Sequence, residues 1–255
     1  MSSNPSQHIE SDLAVMSGAA RLGFWMALLL TVLTLLSFTI GMVTPPRSGA
    51  YCSGTCLAYP YADAARFVPR DYLWMLPGTL ILPVFVIMAG CADVFVAARR
   101  KHLSRIGLCF ASISTAIVTI DYFVQYAVVE PSLTHGETSG LALYLLYNPR
   151  GIYIALENLG YLMLSAAFLF IGFAIPISSR AGKGIRWTFV ASAVLSFVTF
   201  NAMAWHFGLN LEFGLELAII SIVWTALIVA GVLFSIFFHR LGWQGRAGHP
   251  WTNSI

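Results

Sequence analysis

Charge is what this sequence has least of. Lysine, arginine, aspartate and glutamate make up 10% of its 255 residues, against about 25% in an ordinary soluble domain. Hydrophobic residues make up 58%. Too little charge remains to solvate a globular surface, and a polytopic membrane protein is the class that fits. Histidine is also scarce: His8, His102, His135, His206, His239 and His249 are scattered along the chain. No zinc-ligand spacing and no H-E-x-x-H occurs, so no metal centre is indicated. The one metal alternative is a mixed carboxylate–imidazole set from Asp121, Glu157, His206 and Glu216. G-x-S-x-G, P-loop and dinucleotide fingerprints are missing, so the sequence names no cofactor and no nucleophilic hydrolase. The formal net charge of +3 gathers at the ends of apolar runs rather than in a basic stripe with interleaved aromatics. Nucleic acid is therefore not an expected partner.

What is present is six long apolar runs: Leu22–Val43, Leu73–Ala97, Ile106–Val129, Gly151–Ile177, Trp187–Phe207 and Gly214–Phe238. Each is about 20 residues or more, enough to cross a hydrocarbon core of about 30 Å. They predict an all-α integral membrane protein, a six-transmembrane-helix bundle over residues 21–240. A segment 1–20 precedes it and a tail 241–255 follows it. The first run exceeds the roughly 7–15 apolar residues of a signal peptide and reads as a retained anchor.

Basic residues set the threading. Arg21, Arg99, Arg100, Lys101, Arg105, Arg180, Lys183, Arg186, Arg240 and Arg246 fall on one side. Arg47, Arg66, Arg70 and Arg150 fall on the other. The positive-inside rule puts both termini in the cytoplasm, as an even number of spans requires, and a bacterial cytoplasmic membrane is the expected home. Trp25, Trp74, Trp187 and Trp205 near span ends suit an interfacial belt. Pro77 and Pro83 predict a bend in the second span, either an ordinary kink or a broken helix lining a cavity.

Two outer loops, 44–72 and 130–150, are expected to be structured. "YCSGTC" predicts a Cys52–Cys56 disulfide if the outer compartment is oxidising. Ala62–Phe67 suits a helical turn or two on the bilayer, anchored by Tyr59, Tyr61 and Phe67. "GLALYLLY" (140–147) is too short to span and reads as an interfacial or re-entrant piece. Together the two loops are placed to roof the bundle.

Four carboxylates lie inside the runs: Asp93, Asp121, Glu157 and Glu216. A charge at the bilayer centre costs about 2.5–3.5 kcal/mol on insertion scales, so each needs a partner, a proton or water. Asp93 sits near the cytoplasmic end, with Arg99 and Arg100 as expected partners. The others gather in the outer half. Gln125 follows Asp121 by one helical turn, and Ser114 extends that stripe inward. Tyr153, Glu157 and Tyr161 step along one face of the fourth span with Asn158 beside them, and the fifth span adds Asn201 and His206. Lipid would penalise these groups, so they are expected to face inward around a polar pocket between the third and sixth spans. Arg150, just before the fourth span, is the expected countercharge.

Two readings of that pocket stand side by side. One is structural, with carboxyl, amide and phenol groups bonding helix to helix. The other is functional, because intramembrane carboxylates mark ion and substrate paths. The leading functional expectation is a transporter or binder of a small cationic or polar solute, or of protons. The alternatives are a membrane enzyme acting on a lipid or quinone-like substrate, with Asp121 and Glu157 as acid and base, and a non-catalytic subunit of a larger complex. The bilayer is the certain partner, and a homodimer suits so small a bundle.

Overall fold

Backbone amides and carbonyls in lipid must be satisfied within the segment, and helices do this. A computed structural model of the chain describes residues 5–208 and 211–246, with side chains described over 13–208 and 211–242. It contains seven α-helices: α1 (Pro5–Val43), α2 (Met75–Asp93), α3 (Lys101–Val124), the short α4 (Glu130–Thr134), α5 (Ile152–Ala174), α6 (Arg180–Phe207) and α7 (Glu212–Arg246). A π-helical turn, Gln125–Val129, joins α3 to α4. No strand occurs among the described residues. Among the described residues six rods are long and apolar enough to cross a membrane: Leu13–Val43, Arg70–Asp93, Ala98–Thr134, Ile152–Ala174, Arg180–Phe207 and Glu212–Gly242. The chain is a multi-pass, all-helical membrane protein.

The rods run past the predicted limits at several ends. Helix α1 is already formed at Pro5, well before Leu22, and no proline between them breaks it. Helix α7 likewise continues beyond Phe238 to Arg246. Residues 1–4 of the expected N-terminal segment and 247–255 of the expected tail lie outside the described residues. Helix α2 stops short, at Asp93. The turn that follows brings Lys101 back over the end of α2, where its Nζ lies 3.0 Å from Asp93 Oδ2. Lys101, not Arg99 or Arg100, is therefore the partner of Asp93. Only Pro83 lies in the interior of α2. Pro77 sits in its first turn, where an N–H has no intrahelical acceptor.

The spans pack in a ring in chain order, α1 on α2, α2 on α3, α3 on α5, α5 on α6 and α6 on α7, and α7 closes back on α1. Helix α5 also meets α7 across the middle. The α3–α5 contact is the tightest. Gly107, Ala111, Ser114, Val118 and Asp121 form one buried seam on α3, stepping by four and three as a helix–helix contact requires. A Cβ on Gly107 would meet Ile171 at 2.6 Å, and one on Gly160 would meet Val118 at 2.4 Å. Small residues let two membrane helices come this close, and dispersion holds them there. Near the basic end the core is aromatic. The rings of Phe168 and Phe189 stack at 4.4 Å, and Phe85 meets both edge-on.

At the other end the loops close over the bundle. Cys52 and Cys56 form a disulfide. Ser48 Oγ donates to the Tyr147 carbonyl and ties the first loop to the second. Ala62–Phe67 is a 3-10 helix, but only Tyr59 projects outward among its expected anchors. Tyr61 is buried, and Phe67 lies between the Arg47 guanidinium and the Tyr147 ring. The second loop contributes a 3-10 turn, Leu141–Leu143, then buries Leu145 and Tyr147. Its apolar run caps the bundle.

Candidate functional site

The polar groups of the loop end form a rim and a floor with a cavity between them. The rim centres on Asp71, just 1% exposed. Arg47 Nε donates to Asp71 Oδ2 at 2.9 Å, Arg70 Nε to Oδ1 at 3.1 Å, and the Tyr147 hydroxyl to Oδ2 at 3.3 Å. Burial pushes the Tyr147 phenol above its ordinary range, so it keeps its proton and remains a donor. The Arg47 guanidinium also lies 4.1 Å from the centre of the Phe67 ring, a cation–π arrangement. A buried carboxylate is tolerable when paired and hydrogen-bonded, and Asp71 is both. It fastens the first loop, the start of α2 and the second loop to one point.

The floor centres on Glu157, which is fully buried. The Tyr122 hydroxyl donates to Glu157 Oε1 and lies 2.8 Å from the Tyr161 hydroxyl. Trp224 Nε1 donates to the Tyr161 oxygen at 2.7 Å. The chain of contacts thus crosses from α3 through α5 to α7. The Tyr153 hydroxyl and the Glu216 carboxyl lie within reach of Glu157, though neither contact closes to a well-formed hydrogen bond.

Between rim and floor lies a cavity of about 190 Å³. Its walls come from α1, from Asp71 and Trp74 just before α2, and from α5 and α7, and residues 44–48 join the lining. Phe38, Trp74, Tyr153, Phe213 and Trp224 bring aromatic rings to the lining. Three charged side chains reach it: Arg47 and Asp71, already paired with each other, and Glu216.

The predicted site residues divide accordingly. Asp121, Gln125, Tyr153, Glu157 and Tyr161 are buried, Asn158 is half-buried, and Glu216 lines the cavity. Asn201 and His206 do not join them. Both are exposed on α6, and Asn201 Nδ2 donates to Phe197 O of its own helix at 2.7 Å. A side chain that satisfies itself locally has no need of an interior partner. The cavity also differs in place from the expected one, since α1 and the residues just before α2 line it and α3 and α6 do not. Arg150 pairs with Glu212 at 2.8 Å, at the head of α7, rather than with the inner carboxylates. Among the described residues no three His, Cys, Asp or Glu side chains come together to hold a metal.

Arg47, Asp71, Trp74, Tyr122, Tyr147 and Trp224 were not expected at the site. One of them carried a readable signal. Trp224 is a mid-span tryptophan whose indole N–H must find an acceptor when buried. The rim gave none, because Arg47 and Tyr147 meet Asp71 across long stretches of chain. Comparison with protein families, with curated proteins and with solved structures finds no match for this chain.

Proposed function

We propose that this protein binds a small organic cation in the loop-end cavity and passes it across the bilayer. The observation that carries the reading is Glu216, the cavity carboxylate that no arginine or lysine pairs among the described residues, set among aromatic rings. A carboxylate among aromatic faces suits an ammonium group with an apolar body. The rings attract the cation through their quadrupoles, and the low-dielectric wall strengthens the pull of the carboxylate. Arg47 does not repel the ligand strongly, because Asp71 holds and neutralises it. The bias of ten basic residues to one side and four to the other supports cytoplasmic termini in a bacterial inner membrane, with the cavity on the outer side.

Trp74 and Trp224 line the cavity and provide the readout. Titrating the purified protein in detergent with tetramethylammonium, then with bulkier aromatic ammonium ions, should quench tryptophan emission saturably. Neutral isosteres should not. Glu216→Gln should abolish the response while the protein stays folded. Equal binding of neutral isosteres, or an unchanged response in Glu216→Gln, refutes the reading. Uptake of the best ligand into proteoliposomes then separates a transporter from a static receptor.

A further inference from the structure

The cavity carboxyl group of Glu216 has an acidic neighbour and no base. Helices α5 and α7 both run inward from the loop end, and the Trp224–Tyr161 hydrogen bond of 2.7 Å fixes their register. Glu216 stands eight residues before Trp224, and Tyr153 eight before Tyr161. Those two therefore share a level, about 12 Å nearer the loops, and both line the cavity. Glu157 lies one turn deeper than Tyr153 on the same face of α5, within hydrogen-bonding reach of Glu216. The other titratable groups facing this pair bring it no unpaired positive charge. Asp121 and Tyr122 come from α3, and Tyr153 and Tyr161 from α5. The loops bring Tyr51, Tyr147 and the mutually paired Arg47 and Asp71. On α7 itself Glu212 is engaged by Arg150, and His206 of α6 is exposed. Helices α1 and α2 bring no titratable side chain to the cavity.

The hydrogen bonds beneath the cavity have one direction. An indole N–H can only donate, so the Tyr161 oxygen is an acceptor. The Tyr161 hydrogen then goes to the Tyr122 oxygen, 2.8 Å away, and the Tyr122 hydrogen to Glu157 Oε1. Glu157 Oε2 is left buried without a partner. Ionised, it would be a bare acceptor facing a second carboxyl group. Protonated, it is a donor, and Glu216 is the acceptor within reach. Charge points the same way, because adjacent buried carboxyl groups without a counter-ion keep their protons.

We propose that the organic cation enters in exchange for one proton. In the empty site Glu157 and Glu216 are both carboxylic acids. An arriving ammonium ion replaces the Glu216 O–H proton, which leaves to solution, so an acid and a free cation become a carboxylate–cation pair and a free proton. Glu157 keeps its own proton and donates it to the Glu216 carboxylate, as a positioning residue. This inference rests on the cation reading of the cavity and deepens it. Binding of proton and of cation at one carboxyl group oppose each other reciprocally.

Tetramethylammonium has no titratable hydrogen, so a proton released when it binds comes from the protein. Added to the full chain in weakly buffered detergent with an indicator dye, it should release about one proton per cation bound, and sodium chloride at matched ionic strength should release none. Across about pH 5–8 the Kd from tryptophan quenching should rise about tenfold for each unit of acidification. Glu157→Gln retains a donor for Glu216 and an acceptor for Tyr122, and its release should stay at about one proton per cation. Glu157→Leu has neither group and should bind the probe about tenfold more weakly. Quenching with a pH-independent Kd and no proton release overturns the exchange and leaves the cation reading standing. Absence of quenching at every pH overturns both. Loss of release in Glu157→Gln overturns the assignment of the exchanged proton to Glu216, and wild-type affinity in Glu157→Leu overturns the positioning role of Glu157.

Discussion

The two halves of the α3–α5 contact are built from opposite materials. Toward the basic end, Gly107 lies against the α5 backbone at Ala167 and Ile171, and the nearby core is phenyl rings. Toward the loop end the same two helices join the Tyr122 hydroxyl to Glu157, and Asp121 is buried on the same seam of α3. The first half is held by close packing, which tolerates no change in volume. The second is held by hydrogen bonds, and several of its polar atoms lack protein partners. One half keeps the rods in register. The other accepts imperfect satisfaction, a pattern that marks sites built for something other than stability.

Substitutions can break that contrast. The largest effect should come from Phe189→Ala in the aromatic half, which removes a ring stacked on Phe168. A loss of about 3–5 kcal/mol is expected by denaturation in mixed micelles. A loss no greater than that of the polar-half variants would end the division of labour. Next, Asp71→Asn should cost about 1.5–3 kcal/mol by taking a charged acceptor from Arg47. It should also speed protease cleavage within residues 44–58, the segment that Arg47 anchors. Glu157→Leu should cost about 1–3 kcal/mol, because the buried Tyr122 hydroxyl loses its acceptor, whereas Glu157→Gln keeps an acceptor and should cost well under half of that. Equal costs would mean that Glu157 contributes volume rather than hydrogen bonding. The smallest effect should be Asn201→Ala on the outer face of α6, within about 0.5 kcal/mol of wild type. A larger loss would show that a partner covers this face.

Much of the frame was legible before any coordinates. The six rods follow from run length and hydropathy, because lipid allows few alternatives to a helix. The Cys52–Cys56 disulfide follows from spacing within one loop. The burial of Asp121, Gln125, Tyr153 and Glu157 follows from the cost of placing them in hydrocarbon. That cost says nothing about which neighbours they meet. Asn201 carries a similar penalty and escapes it by bonding its own helix. Depth and the cost of lipid exposure therefore misassigned Asn201 to the polar cluster.

The amino-acid sequence by itself determined the number of spans, the side to which positive charge is biased and the carboxylates that had to be hidden, because each depends on local chemistry meeting a bilayer. Only the tertiary structure decided that Arg47, Asp71 and Tyr147 share one rim, that α1 and the residues just before α2 rather than α3 and α6 wall the cavity, and that Glu216 lines it. Those outcomes depend on how the ring of helices closes, because contacts such as those of Gly107 and Gly160 between α3 and α5 join residues far apart in the chain.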